Sequence, residues 1–410
     1  MLELQTERYC MMRSYSYLNA KYALVSAAYM MLVVAVGGYA YNFLSQSGLS
    51  DGMAGTVITC VSLTGLILQT VFGSVIDSSA KLTEKSFISL TMILAAVLAI
   101  VLLFVKNTVF LCILVICCFT MCTSGFPFFN SLAFAYEKQG HAINYGIGRG
   151  IGSAAYAVGS SLLGTLWGHY GKAVMPWYLL VFALITWTLM QMMPDPVHER
   201  NKEKKTENTG YVRFFHKYRR ILLPAAAMIM LYFCHMLVNT YLAKIIASII
   251  GAQQAGTAGT VEGFQGTALF IQAMCELPTM FVFAWLMKKA SVNRLMIFSA
   301  VIYSLKHAII LFASNIGMLY FAMVLQMLSY AILVPGSVYF ANEIVAGEDR
   351  NKGQAVMAAT TTVGGLLSSF IGGQLFQHFD VHTVIAIGTA VSMIGTILMI
   401  AGITKIEKKS

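Results

Sequence analysis

A carboxylate and an ammonium, Glu276 and Lys306, stand in the middle of long apolar runs. An ionised group at such depth in a membrane costs roughly 2.5 to 3.5 kcal/mol even on the lenient insertion scale, so each needs a partner or a purpose. Mutual pairing would satisfy both. Proton exchange is the alternative, because a carboxyl group in a low-dielectric cavity holds its proton more tightly than in water, and a changing neighbour shifts that hold. His235 and His307 suit a relay, since imidazole changes charge near neutral pH; either can equally donate to a helix carbonyl as a packed core residue. Arg149 presents a planar fork of donors matched to vicinal hydroxyls, or anchors its segment by reaching to the interface. Asn130, Asn239 and Tyr156 add uncharged donors and acceptors, which together with Arg149 and Glu276 fit a hydroxyl-rich neutral ligand.

The elements that must hold these residues are apolar helices. Hydrophobic residues make up 58% of the 410-residue chain and charged ones 11%, far from the roughly one-quarter charged residues of soluble domains. Apolar stretches fall near 21–46, 52–76, 86–105, 109–136, 143–168 and 174–193, then 221–249, 262–287, 294–313, 317–344, 353–377 and 382–404. Each reaches the roughly 20 residues that cross hydrocarbon as a helix, and none alternates as a membrane strand must. The expected fold class is therefore an all-α membrane protein. Its parts are a terminus of residues 1–20, a six-helix bundle over 21–193, a linker over 194–220, a second bundle over 221–404 and a tail over 405–410.

Basic residues set the orientation, because short cytoplasmic loops collect Lys and Arg. Arg8, Arg13 and Lys21, then Lys81 and Lys85, Lys138, the linker, Lys288, Lys289 and Arg294, Arg350 and Lys352, and finally Lys405, Lys408 and Lys409 fall on one side; the other holds little more than Lys106 and Lys172. Both termini are thus expected in the cytoplasm of a multi-pass cell-membrane protein, the first residues reading as a terminus and not a cleavable leader. The net charge of +10 follows from this topology and argues no nucleic-acid partner. Tyr211 to Arg220 alternates aromatics with basic residues, as an interfacial helix or as an ordinary basic flank. The eight cysteines lack metal-ligand spacing with histidine and read as packing residues. No metal, cofactor or enzymatic activity is expected.

The second six stretches echo the first at offsets of about 210 residues. Gly55-Thr56 corresponds to Gly266-Thr267, Pro127 to Pro335, and the Gly164 to His169 segment to Gly373 to His378. Duplicated six-helix bundles imply a site near the bilayer midplane and alternating access by rocking of the halves. Stretches five and eleven carry many glycines, among them Gly148, Gly152, Gly159, Gly364, Gly372 and Gly373, which read as surfaces for close helix packing.

With these residues in view, a resemblance becomes specific. Ser50, Gly55, Ser62-Leu63, Gln69 and Phe72-Gly73-Ser-Val-Ile-Asp77 resemble the second span and following loop of the lactose permease group, the oligosaccharide:proton symporters of the major facilitator superfamily. Tyr145-Gly146-Ile-Gly-Arg149-Gly-Ile-Gly152-Ser153 is similar to the group's fifth span, Glu276-Leu-Pro-Thr-Met-Phe to its eighth, and Lys306 stands where its ninth has an arginine. The resemblance implies twelve spans, sugar contact by Arg149, ring stacking by Tyr156, coupling at Glu276, and a gating role for Asp77 and Lys81 in the loop signature. The chain departs from the group at span four, where Asn130 replaces a glutamate, and at span ten, where Ser329 and Ile332 replace a histidine and a proton-carrying glutamate.

The expectation is a proton-coupled symporter of a sugar or other hydroxyl-rich small solute, working as a monomer in the bilayer with a proton or another cation as coupling ion. Substrate binding falls to Arg149, Tyr156, Asn130, Asn239 and Glu276; coupling falls to Glu276, Lys306, His307 and His235. An efflux or antiport carrier for amphiphilic compounds stays open, as the 25 methionines and many aromatics suit an adaptable apolar pocket. A non-transporting sensor of the same fold would be expected to append a soluble domain.

Overall fold

The computed structural model describes residues 2–79, 82–139, 143–196, 211–256 and 259–407. Among the described residues every regular element is helical, as hydrocarbon demands of segments that must satisfy their own backbone groups. Asn107, Asn144, Ser291 and Asn315 each accept a backbone N–H three residues on, closing the helix starts that otherwise leave donors unpaired.

Eleven helical stretches among the described residues are apolar and long enough to cross a bilayer: Tyr17–Gln46, Asp51–Ile76, Glu84–Leu102, Thr108–Glu137, Tyr145–Gln191, Arg219–Thr240, Thr260–Lys289, Val292–Leu311, Ile316–Ile344, Arg350–His378 and Val381–Thr404. The fifth, at 47 residues, would extend about 70 Å as one helix, more than twice the hydrocarbon thickness. It is two crossings, Tyr145–Tyr170 and Val174–Gln191, turned by Gly171–Ala173 with Gly171 at φ 59°. Twelve spans result, numbered one to twelve below.

The described residues form two compact units. One holds spans one to six without Leu49–Thr59; the other holds Leu49–Thr59 with spans seven to twelve. In the first, span one packs along spans five and six, and span three against span six. In the second, span seven packs along spans eleven and twelve, and span nine against span twelve. The same pairs recur six spans later, so the sequence repeat is also a repeat of packing.

Glycines make these pairs possible. A Cβ on Gly148 would lie 2.4 Å from the Tyr22 ring, and one on Gly152 2.7 Å from Ser26 Oγ. In the second unit a Cβ on Gly364 would meet Tyr232 Cβ at 2.7 Å and the Phe233 backbone nitrogen at 3.0 Å. Gly373 and Gly55 bring span eleven against the first turns of span two, where Tyr241 Oη donates to the Ser369 carbonyl at 2.7 Å and Lys244 pairs with Asp51.

Three stretches that read as single spans are interrupted. Span four breaks at Gly125. Pro127, two residues on, has no N–H for the Thr123 carbonyl; the Tyr29 hydroxyl and the Gln69 amide donate to it at 3.3 and 3.5 Å instead. Span ten passes through a tight turn at Leu325–Met327 before helix Tyr330–Ile344, which contains Pro335. The stretch expected over 221–249 ends at Tyr241, whose ring wedges against Phe376, and resumes as Leu242–Ala255.

The loop around Asp349 is pinned by charge. Asp349 is buried, takes ion pairs from Lys217 and Lys352, and accepts from the Tyr218 hydroxyl at 3.2 Å. The hydrogen bond from Lys217 is the main cause that holds its carboxyl below the ordinary range.

Gly364 and Gly263 give a paired test of the packing role. Gly364→Ala forces fixed backbone apart and should destabilise the protein by about 1–3 kcal/mol, whereas Gly263, with nothing within 4 Å of a Cβ, should accept alanine without loss. Denaturant unfolding of the purified variants in detergent checks both, and equal stabilities would remove the packing role.

Candidate functional site

The second unit gathers five of the residues singled out from the sequence. Span nine carries Ser299, Tyr303, Lys306 and His307 on its buried face. Lys306 is fully buried and donates to Gln326 Oε1 at 2.6 Å. Gln326 Nε2 in turn donates to Glu276 Oε1 at 2.8 Å. A single amide therefore bridges the ammonium on span nine to the carboxylate on span eight. The break in span ten sets it there, for Gln326 lies within the tight turn at Leu325–Met327.

Around this chain lies a ring of aromatic and imidazole groups. His235, on span seven, stacks on Tyr330 with centroids 5.2 Å apart and meets Tyr303 edge-on at 5.8 Å. Asn239, one turn on, donates from Nδ2 to His235 Nε2 at 3.1 Å. His307 Nδ1 contacts Ser392 Oγ of span twelve at 2.9 Å, and the Tyr303 and His307 rings are 5.7 Å apart. Lys306 and His307 both lie within electrostatic reach of His235.

Four buried polar atoms in this neighbourhood have no hydrogen-bond partner among the described residues: His235 Nδ1, Asn239 Oδ1, Tyr303 Oη and His307 Nε2. Each such atom costs about 1–3 kcal/mol if it stays unpaired. Four together, beside a bridged ion pair, mark a place built to hold water or a polar ligand. Two are imidazole nitrogens, one a phenol and one an amide oxygen, so the set offers both donors and acceptors.

The first unit positions the others. Arg149 and Tyr156 lie seven residues apart on span five, hence on one helical face. The guanidinium of Arg149 sits 5.1 Å from the centre of the Phe126 ring, a cation–π contact, and no carboxylate pairs with it among the described residues. The Tyr145 hydroxyl donates to Asn130 Oδ1 at 3.3 Å, so Asn130 is tied to the start of span five. Tyr156 is half-buried. Asp77 belongs to helix Asp51–Ser78, but its side chain and all of Lys81 lie outside the described residues.

Sequence reasoning missed Gln326, Tyr303, Tyr330 and Ser392. Gln326 had a usable signal, a lone amide near the middle of an apolar span. Tyr303 stands one turn before Lys306 and shares its face. Ser392 had none, since an isolated serine in a span is ordinary.

The profile of the MFS_1 like family matches residues 22–387. No curated protein sequence matches the chain. Among solved structures, the chain is similar to the nucleoside transporter NupG, with a TM-score of 0.79 and 13% identity over 94% of this chain and 98% of that one. A bacterial homologue of the iron transporter ferroportin, in an inward-facing state, gives 0.69 and 14% over 94% and 98%. A bacterial homolog of the human lysosomal transporter Spinster, inward-facing and unoccupied, gives 0.61 and 12% over 95% of each chain. At these identities the likeness is one of fold.

The amide bridge is testable by a double-mutant cycle. Gln326→Leu removes the acceptor of a buried ammonium and should cost about 1–3 kcal/mol or more, while Gln326→Leu with Lys306→Met should recover part of that loss. Unfolding in detergent reads all four proteins. Strictly additive costs would show that the two side chains are not coupled.

Proposed function

Since the chain belongs to the MFS_1 like family, and is a secondary transporter of the major facilitator type and not an enzyme, we propose that it is a proton-coupled symporter of a neutral, hydroxyl-rich small solute. The Lys306–Gln326–Glu276 chain carries this assignment. An ionised Glu276 accepts from Gln326 and so orients the amide oxygen toward Lys306. Protonation of Glu276 cancels that charge, frees the amide to turn, and leaves Lys306 in need of another acceptor. A solute hydroxyl is such an acceptor. Proton and solute then stabilise the same arrangement, which is the condition for coupled transport.

The recognition side of the proposal uses the orphaned groups. Asn239, Tyr303, His235 and His307 supply donors and acceptors without net charge, and Tyr330 supplies an aromatic face, as a sugar ring requires. In the first unit we assign Arg149 to paired hydroxyls, Tyr156 to ring contact, and Asn130 to a supporting hydrogen bond. Ribose carries the same vicinal diol as a hexose, so nucleosides, the cargo named for NupG, belong in the tested class. Asp77 and Lys81 are assigned to gating. The basic-residue count supports cytoplasmic termini in the cell membrane, and every residue assigned a role belongs to one chain, so a monomer suffices.

Glu276→Gln tests the coupling, because the amide mimics the protonated acid permanently. The variant should lose accumulation driven by a pH gradient and keep exchange of labelled solute across proteoliposomes. Uphill accumulation at the parental level would sink the coupling role of Glu276. Parental accumulation that runs against the imposed proton gradient would instead assign an antiporter.

A further inference from the structure

The segment leading into span seven forms a surface separate from the mid-membrane cluster. Helix Tyr211–Lys217 sends Phe214 into the core of the second unit, where it packs with Tyr218. The other aromatics of this helix, Tyr211 and Phe215, cover one end of a groove of about 480 Å³ between spans seven and eleven. Leu222 and Ile229 form one wall, Ala359 and Val363 the other. The lining holds two hydroxyls, the exposed Tyr211 phenol at the end of the groove and that of Thr360, which donates to the Met357 carbonyl within its own helix. Between the two spans the groove thus offers contact to hydrocarbon and little for a sugar to bond.

Every charged residue of Tyr211–Arg220 is basic. Lys217 and Lys352 are both paired with Asp349. Arg213, Arg219 and Arg220 are exposed, and none has a carboxylate partner among the described residues. Arg219 lies between Phe215 and Leu222 of the lining in sequence, and its guanidinium contacts the neighbouring His216 ring. A soluble anion would use the guanidiniums and leave the groove idle; a neutral lipid would do the reverse. An anionic phospholipid uses both. Guanidinium binds phosphate through parallel charge-assisted hydrogen bonds, and a helix mixing aromatic and basic residues at the membrane surface attracts anionic headgroups.

We infer that this surface is a binding site for an anionic phospholipid, with one acyl chain in the groove between spans seven and eleven and the phosphate on the Arg213, Arg219 and Arg220 cluster. The site depends on no feature of the solute chemistry and stands or falls apart from it.

Native mass spectrometry of the full-length protein in detergent tests the assignment, with phosphatidylglycerol and phosphatidylcholine of identical acyl chains as probes. The parent should retain phosphatidylglycerol roughly tenfold or more over phosphatidylcholine, the scale set by a few surface guanidiniums. The triple variant Arg213→Gln, Arg219→Gln, Arg220→Gln should lose that preference while its unfolding in lipid-free detergent is unchanged. Ala359→Phe, which fills the groove, should lower retention of both lipids. Equal retention of the two lipids by the parent would overturn the inference, as would a triple variant that keeps the preference. If the phenylalanine variant fails to fold, the parent and the triple variant decide the matter.

Discussion

A buried ammonium must find acceptors inside the protein, and Lys306 constrains the second unit through that need. Its acceptor is one amide oxygen, and the same amide reaches Glu276 through its nitrogen. Spans eight, nine and ten are therefore tied at mid-depth by three side chains. Removing any one of them exposes a charge or a dipole to an apolar interior, which is costly. The interruption of span ten belongs to the same arrangement, because a straight helix through Leu325–Met327 would carry Gln326 on a different path.

The packing repeat supplies the frame around this contact. Span seven lies along spans eleven and twelve as span one lies along spans five and six. In both units glycines admit the closest approaches, and a methyl at Gly148 or Gly364 would collide with span one or span seven. The units differ in their polar content. The first presents an arginine on an aromatic face, and the second a bridged ion pair with four polar atoms around it that have no partner among the described residues. A duplicated frame with unequal chemistry suits a transporter in which one half binds and the other half also couples.

The spans themselves, and their pairing into a repeat, were legible because hydropathy and glycine spacing report local, periodic constraints. Glu276 and Lys306 stood out for the same reason, each being a charge where the period allows none. Gln326 did not, since an amide barely disturbs hydropathy and its role exists only once three helices meet. The breaks at Gly125 and Tyr241 depended on which groups receive the freed carbonyls or wedge the neighbouring helix, and that is tertiary information. The burial of Asp349 was not legible for a related reason: it depends on Lys217 and Lys352, one distant and one near in sequence, converging on it.

In the proposed mechanism, solute and proton share one conformational equilibrium through the Lys306–Gln326–Glu276 chain. Its most direct test uses the unmodified protein in proteoliposomes without an imposed gradient, with a pH-sensitive dye outside and a panel of sugars and nucleosides added in turn. At least one solute should alkalinise the external medium as it enters, in a protein-dependent manner abolished by a protonophore. A solute that enters through the protein down its own gradient without proton movement would contradict that shared equilibrium.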